Sequence, residues 1–393
     1  MRIGQYLPMD KEQAFLLYTA AHEDGNPKGT YYVGRSYLEG CGVDIDTAAA
    51  LPYLYDACRQ GVGNAACRIA QFYEQGIGGF PHDFDSALYY YIQGANGGSA
   101  EANNWIGQQL VEEEAYENAV GYLYAAGKDG HPEAAVTLAL LMQQGLGFKV
   151  PDPESAYNIL TNVVSRANSA KGYCHLGIAC LQGNGCPADP TRGKLYLDTA
   201  ASLGSVLAMY DLGICHANGY GCAVDTTEAI HWFEQAADNG RIDACNQLGD
   251  IYEAQGAFRN AALYYEKAVI AGDLEGYCNL GYCYQEGQGV VLNSAKALEL
   301  YRVAADHGYV RGYMCVANCY MNGIGVEENY GEAYNWLVKA AEAGSPQAMY
   351  YCGSLLADGG EGLKADPKAA KAWYKKAAAA GFAPAAAALS RMK

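Results

Sequence analysis

Five cysteine and histidine residues carry side chains that can bind zinc. Cys174, His175 and Cys180 share one stretch of the chain, and Cys215 and His216 lie in a later stretch. Structural zinc sites usually contain closely spaced cysteine pairs, and no Cys-x-x-Cys pair is present here. A free cysteine is also a common small buried apolar residue. We therefore assign these side chains to the core and predict no metal and no cofactor.

A Gly-x-Gly loop is the second motif that could do chemistry, because such loops hold phosphate groups in some enzymes. No copy has the third glycine of a dinucleotide site, and none is followed by Gly-Lys-Ser/Thr. We therefore interpret the copies as structural turns. They recur in phase eight times, at Gly40/Gly42, Gly76/Gly78, Gly145/Gly147, Gly183/Gly185, Gly219/Gly221, Gly287/Gly289, Gly323/Gly325 and Gly360/Gly362.

An acyl-enzyme motif is also incomplete. The Ser-x-x-Lys motif at Ser390–Lys393 has no Ser-Asp-Asn or Lys-Thr-Gly partner in the chain. We also find no convergent pair of acid and base residues. The sequence therefore predicts that the protein is not an enzyme.

Charge and composition exclude several further classes. The net charge is −17 and the pI is about 4.8, whereas nucleic acids and anionic membranes attract basic surfaces. Residues 1–8 lack the apolar segment of a secretory signal, and no apolar run is long enough to span a membrane. We therefore predict a cytoplasmic protein whose fourteen cysteines are thiols.

The spacing of the loops indicates a repeat. Successive copies lie about 36 residues apart or at twice that interval, which is typical of stacked helical units. Each unit contains two helical patterns, the first with small residues five positions apart, as at Gly276 and Gly281. The second has alanine, then an aromatic residue three positions on and another alanine after four more, which marks one helical face. We predict an all-α fold of about ten helix pairs with a capping helix at each end.

Local signals mark the ends of these helices. Asp225 and Glu228 have the spacing of a capping box. Glycines that close the second helices fit the left-handed position after a helix. Three Asp-Pro pairs place a capping carboxylate before a proline at the first helical position, at Asp152/Pro153, Asp189/Pro190 and Asp366/Pro367.

Some units depart from the pattern. Near residues 99–130 and 241–272 the spacing shortens to 32 and the Gly-x-Gly loop is absent. The stretch Val163–Lys171 is also irregular, because it has one extra residue and no closing glycine. We predict an N-terminal capping helix within 1–26, a repeat array over 27–381 and a C-terminal capping helix within 382–393.

The long units resemble Sel1-like repeats. One unit shows the pattern in full, with Ala208-Met-Tyr-Asp-Leu212-Gly213, Gly219-Tyr-Gly221, Asp225, Ala229-Ile-His-Trp232 and Gly240. The two short units resemble tetratricopeptide repeats, which lack the extra loop. This resemblance implies a right-handed α-solenoid that serves as an adaptor or assembly scaffold for other proteins. Fold and function remain separate inferences.

By analogy with tetratricopeptide arrays, fixed positions of the first helices should line a concave face that binds a peptide or a partner helix. The centre of this face should be apolar and its flanks polar to acidic. The alternative is that these residues pack against a neighbouring unit or a homodimer partner, so the oligomeric state stays open between monomer and homodimer. The predicted site residues are Val136, Leu140, Cys174, Ile178, Leu181, Tyr210, Ile214, Asn246, Asp250 and Tyr282.

A second function class remains open. Cysteine-rich relatives of this family are secreted and stabilised by disulfides, and interact with host or envelope components. The resemblance implies bridged cysteines eight residues apart, whereas only Cys58 and Cys67 come near that spacing here, nine apart. This departure favours the cytoplasmic adaptor, and a count of free thiols separates the two classes.

Overall fold

The structure, a computed structural model, describes residues 10–392 and is entirely helical apart from one isolated bridge between Gly360 and Leu363. Twenty-two α-helices lie in this part of the chain, which confirms the predicted fold class of ten helix pairs between two terminal helices. Residues 1–8, which the sequence predicts to hold no secretory signal, and Lys393 of the Ser-x-x-Lys motif lie outside the described residues.

The helices form two compact units, one ending at Ser205 and one beginning at Val206. The predicted single array over 27–381 therefore stays a prediction. Unit 1 contains α1 (Lys11–Glu23), α2 (Pro27–Glu39), α3 (Thr47–Arg59), α4 (Gly63–Gln75), α5 (Phe84–Asn96), α6 (Ala100–Glu112), α7 (Tyr116–Lys128), α8 (Pro132–Gln144), α9 (Pro153–Arg166), α10 (Ala170–Gln182) and α11 (Pro190–Ser202).

Unit 2 repeats the arrangement. Even-numbered helices α2 to α20 are the first helices of their pairs, and odd-numbered helices α3 to α21 are the second helices. Unit 2 contains α12 (Val206–Asn218), α13 (Thr226–Asp238), α14 (Asp243–Ala254), α15 (Phe258–Ile270), α16 (Leu274–Glu286), α17 (Ser294–Asp306), α18 (Val310–Asn322), α19 (Tyr330–Glu342), α20 (Pro346–Asp358), α21 (Pro367–Ala379) and α22 (Ala383–Arg391).

Small residues let the two helices of a pair approach closely. A Cβ built on Gly213 would lie 2.6 Å from the ring of Phe233, which is fully buried on the second helix of the pair. Gly107 has the same relation to Leu123, at 2.7 Å. The repeated glycine therefore makes room for a large apolar side chain, which outweighs its unfavourable helix propensity of about 1 kcal/mol.

The predicted helix caps are present. The side chains of Asp152, Asp189 and Asp366 each accept a hydrogen bond from a backbone N–H in the first turn, at 2.9–3.0 Å. Asp225 accepts the N–H of Glu228 at 3.1 Å, but its own N–H donates to the carbonyl of His216 rather than to a glutamate side chain. The capping box is therefore only half formed.

That backbone bond explains what the Gly-x-Gly loops do. In all eight units that contain the loop, the N–H of the capping residue donates to a carbonyl in the last turn of the first helix, as Asp152 does to Met142 at 2.9 Å. The second glycine also contacts the preceding unit: a Cβ on Gly147 would lie 2.6 Å from the Tyr116 carbonyl oxygen at the start of α7. Each loop is therefore bonded to the first helix of its own repeat, and its second glycine packs against the preceding repeat.

The pair α8–α9 is irregular, as the sequence indicates. α9 has 14 residues, and Ala167 follows it in an extended conformation instead of a left-handed glycine. Ser169 then caps α10 by accepting the N–H of Gly172 at 3.0 Å. The closing positions of regular units, such as Gly61 with φ of +83°, do adopt the predicted left-handed conformation.

Candidate functional site

The predicted site residues of unit 1 divide between core and surface. Val136 and Cys174 are buried, with exposed fractions of 0% and 1%, and offer no surface to a partner. Leu140 is half-buried and packs against the core cluster that contains Val136. Ile178 and Leu181 are also half-buried. The unit 1 part of the predicted surface therefore consists of Leu140, Ile178 and Leu181.

Three predicted residues of unit 2 have structural partners. Tyr210 packs on Phe233 with ring centroids 5.5 Å apart, and the Arg241 guanidinium lies 4.8 Å from its ring centroid. Ile214 packs partly buried against the same core. Asn246 is buried, and its side-chain amide donates to the Asp273 carboxylate at 2.7 Å. Of these, Tyr210 and Ile214 retain accessible surface.

Asp250 is exposed but holds a core tyrosine. The Tyr265 hydroxyl donates to Asp250 at 2.7 Å, and a Glu253 oxygen lies 3.0 Å from the same hydroxyl. Burial and these two carboxylates raise the pKa of Tyr265 above its usual value. Asp250 therefore anchors the second helix α15 to the first helix α14.

Tyr282 lies at a groove within unit 2, which we call the unit 2 groove. The groove has a volume of about 790 Å³ and crosses the first helices α16, α18 and α20. Asn318, which occupies the register position of Tyr282 one unit later, lines it as well, and so does Met314, about one helical turn before Asn318 on α18. The lining consists of Tyr282, Gln285, Tyr301, Tyr309, Val310, Arg311, Met314, Cys315, Asn318, Met321, Leu337, Gln347 and Tyr351.

The groove presents aromatic and methionine side chains together with one cationic side chain, that of Arg311. Tyr282 is 41% exposed, and Met314 and Tyr351 are half-buried. The Arg311 side chain is 48% exposed and lies 3.6 Å from the Glu275 carboxylate. Tyrosine, methionine and arginine are enriched at protein interfaces, and methionine adapts to different partner shapes.

Sequence reasoning missed Arg311 and Tyr351. The register rule takes residues three before and one, four and five after the second small position, whereas Arg311 lies six before Ala317 and Tyr351 two before Gly353. Arg311 lies one helical turn before Met314, so extending the same face by one turn would have found it.

Two thiols lie beside this groove. Cys278 on α16 donates to Cys315 on α18; this contact and burial raise the pKa of Cys278. The same hydrogen bond and the Arg311 charge lower the pKa of Cys315, which lines the groove. Cys315 therefore carries the larger thiolate fraction of the two.

His175 supplies the clearest pH dependence. Burial, and then the positive charge of Lys171, lower its pKa to about 4 from an ordinary value of 6.5. Between those values the unfolded chain binds a proton that the folded chain does not, so stability falls as the pH drops through this window.

His175→Gln should remove that dependence. The free energy of unfolding of the native chain should lose about 2 kcal/mol between pH 7 and pH 5 through this residue alone, and the variant should not show that loss. Urea unfolding of both proteins at the two pH values measures the difference. Equal losses in both proteins would show that His175 is not buried in its neutral form.

The cysteine and histidine candidates do not assemble a metal site. In residues 10–392, no group of three or more His, Cys, Asp or Glu side chains has the geometry to hold a metal ion. The Cys222 sulfur lies 3.7 Å from His216 Nδ1, and the Cys186 sulfur lies 4.0 Å from that of Cys180. Each is a pairwise contact.

None of the helices in this part of the chain is long and apolar enough to cross a membrane.

Helix pairs joined by capped glycine loops define a repeat protein of the tetratricopeptide-like class. Comparison with known proteins identifies the repeat family to which the chain belongs. The Sel1 repeat model matches residues 27–62, 63–99, 170–205, 206–240, 274–309, 313–345 and 346–382, together more than half of the chain. The chain therefore belongs to the Sel1 repeat family. The model does not match residues 100–169 or 241–273, which contain α6 to α9 and all of α14 and α15 and so cover both short units.

Two relatives are similar to this chain in sequence. Chitin synthase regulatory factor 3 of Schizosaccharomyces pombe is 26% identical over 334 residues, which are 82% of this chain and 28% of that protein. An exopolysaccharide production negative regulator of Rhizobium leguminosarum is 30% identical over 153 residues, 34% of this chain and 57% of that protein. The chain thus spans less than two thirds of these relatives.

A crystal structure supports the fold. The protective antigen c5321 of uropathogenic Escherichia coli, which has a Sel1-like repeat fold, aligns with a TM-score of 0.69 and 23% identity over 98% of this chain and 83% of that one.

Proposed function

We propose that this protein is a non-enzymatic scaffold that binds a protein partner, and that the unit 2 groove is its main docking site. The observation that carries the proposal is the groove itself, an accessible and mainly apolar depression whose lining includes Tyr282, Met314, Tyr351 and Arg311. Accessible apolar surface of this kind is typical of interaction sites. Its length across three first helices suits a peptide or partner helix.

The side chains of the groove indicate which residues the bound segment of the partner should contain. An apolar anchor would pack on Met314 and the tyrosines, and an acidic residue beside that anchor would pair with Arg311 in competition with Glu275. The half-buried residues Leu140, Ile178 and Leu181 of unit 1 are proposed as a further contact region. Two relatives are named as regulators, which supports a regulatory role for the proposed scaffold.

Capture and sedimentation together test whether the partner is a different protein or a second copy of this chain. The immobilised chain should retain one defined protein from a native lysate, while the purified chain sediments as a monomer. If the chain instead forms a dimer that Tyr282→Ala dissociates, the groove is occupied by a second copy and the scaffold proposal fails in this form.

We further propose a cytoplasmic location with reduced cysteines. Cys58 packs in the core cluster around Leu54 and Ile69, whereas Cys67 packs in the next cluster with Tyr91. Burial raises the pKa of Cys67 to about 12, so this thiol resists reaction.

Thiol titration separates this proposal from the secreted, disulfide-stabilised class. The denatured and unreduced protein, isolated from its natural source under conditions that block oxidation, should react with close to fourteen equivalents of reagent. The same protein after reduction is the reference for full reactivity. A count of only a few thiols would support the secreted class.

A further inference from the structure

A second cavity lies in unit 1, away from the unit 2 groove. It has a volume of about 340 Å³ and lies between the C-terminal parts of α7 and α9, above α8. Cavities of this size accommodate small organic molecules. The lining consists of Tyr124, Gly127, Lys128, Gly130, His131, Pro132, Ala135, Leu138, Met142, Ile159, Asn162, Val163, Arg166 and Ala167.

The cavity lies where this repeat has no aromatic residue at two positions that hold one or two aromatic residues in the other helix pairs. In α10–α11, Tyr173 packs on Tyr196 with ring centroids 6.2 Å apart, and in α18–α19, Tyr313 packs on Trp336 at 5.9 Å. The same two register positions in α8–α9 hold Ala135 and Ile159, and both line the cavity.

No other helix pair lacks both rings. The other nine pairs of the described chain have at least one aromatic residue at these positions, namely Thr30/Tyr53, Ala66/Tyr90, Asn103/Tyr122, Tyr173/Tyr196, Met209/Trp232, Cys245/Tyr264, Tyr277/Leu300, Tyr313/Trp336 and Met349/Trp373. The pair α8–α9 also carries the extra residue after α9, and it lies in the region that the family model does not match. Several independent departures therefore coincide at this cavity.

The walls of the cavity are apolar. Leu138 and Val163 are buried, with exposed fractions of 5% and 8%, and Ala135, Met142 and Ile159 are half-buried. An aromatic ring placed between them would contact the same kinds of side chain that surround the tyrosine and tryptophan rings in other repeats. It would also approach the Met142 sulfur, which interacts favourably with aromatic rings.

The charged side chains that line the cavity, Lys128 and Arg166, are both positive. Lys128, Arg166 and His131 line the cavity, and no Asp or Glu is among its described lining residues. His131 Nδ1 accepts the N–H of Ala134 at 3.3 Å, which leaves Nε2–H as a donor in the neutral ring. The Glu133 carboxylate lies 3.7 Å from His131 Nδ1 but outside the lining. In a chain of net charge −17, an apolar cavity lined by Lys128 and Arg166 and by no described carboxylate points to an anionic ligand.

We propose that this cavity binds an aromatic monocarboxylate, with its ring beside Ala135 and Ile159, where other helix pairs have an aromatic side chain, and its carboxylate at Arg166 and Lys128. An arginine–carboxylate contact is a charge-assisted hydrogen bond and adds both energy and orientation. The site is independent of the proposed protein-binding groove, so either can fail without the other.

Calorimetry on the full chain with 1-naphthylacetate tests the site. One molecule should bind per chain, and 1-naphthylacetamide, which has the same ring without the charge, should bind at least about tenfold more weakly because a charge-assisted contact is lost. Decanoate, an aliphatic anion, should also bind more weakly. No binding of 1-naphthylacetate up to about 1 mM, or tighter binding of decanoate, would overturn the proposal.

Two variants locate the site. Ala135→Tyr restores the side chain that Tyr173 and Tyr313 provide, and should abolish binding by filling the cavity. Arg166→Glu should weaken binding at least about tenfold. Arg59→Glu, which makes the same charge change in the last turn of α3, should leave it unchanged. Unchanged binding to a folded Ala135→Tyr protein would overturn the proposal, and if that variant does not fold, equal effects of Arg166→Glu and Arg59→Glu would do so.

Discussion

Tyr282→Ala should weaken partner binding by about 30-fold or more, because truncation of a central interface aromatic typically costs about 2 kcal/mol or more. The side chain is 41% exposed, so its removal should lower the free energy of unfolding by only about 1 kcal/mol. The measurement is the fraction of captured partner at graded concentrations of the immobilised chain. Thermal unfolding of the same samples checks the fold.

The matched control is Tyr220→Ala, which removes a 50% exposed tyrosine of the same unit outside the groove. It should leave capture unchanged. Equal losses for the two variants, or none for Tyr282→Ala, would remove the groove from the account. The double variant Leu140→Glu with Ile178→Glu tests the unit 1 region in the same assay, and a loss of capture with retained helicity would extend the interface to that region.

Gly213→Ala should destabilise the fold, although alanine is the better helix former. The new Cβ would lie 2.6 Å from the buried Phe233 ring, and overpacking of this kind costs about 1–3 kcal/mol. The gain in helix propensity of about 1 kcal/mol offsets part of this cost. We therefore expect a lower midpoint in urea unfolding.

Gly121→Ala is the control for this experiment. Gly121 lies inside α7, and a Cβ there would meet no atom within 4 Å. Only the propensity term then applies, so this variant should be neutral or more stable by up to about 1 kcal/mol. Equal shifts in both variants would show that the repeated glycine of the first helix does not make room for the second helix.

Much of the fold is predictable from local chemistry. Proline at the first helical position, a capping aspartate and a closing glycine act within a few residues, so the helix ends at Asp152 or Gly61 follow from sequence alone. The capping box at Asp225 fails for a longer-range reason. Its N–H is already bonded to His216 of the preceding helix, a constraint that the spacing of Asp225 and Glu228 does not show.

The candidate site is less predictable because exposure depends on neighbours. Val136, three positions before the second small residue, packs in the cluster that also contains Leu176 of the next first helix, and is buried. Met314 has the same register position but lines the groove of unit 2. The position of a residue relative to the second small residue predicts which face of the first helix it occupies. The size of the side chains in the adjacent repeats decides whether that residue is exposed.

Site-specific cross-linking from position 282 tests the central claim most directly. A photo-reactive benzoylphenylalanine at position 282 keeps an aromatic side chain at the groove, and the same residue at position 270, where Ile270 is 81% exposed on α15, serves as the control. In cells that naturally make the protein, irradiation should give one discrete adduct with another protein at position 282 and none at position 270. The absence of an adduct at 282, or the same adduct at both positions, would contradict a docking site in the unit 2 groove.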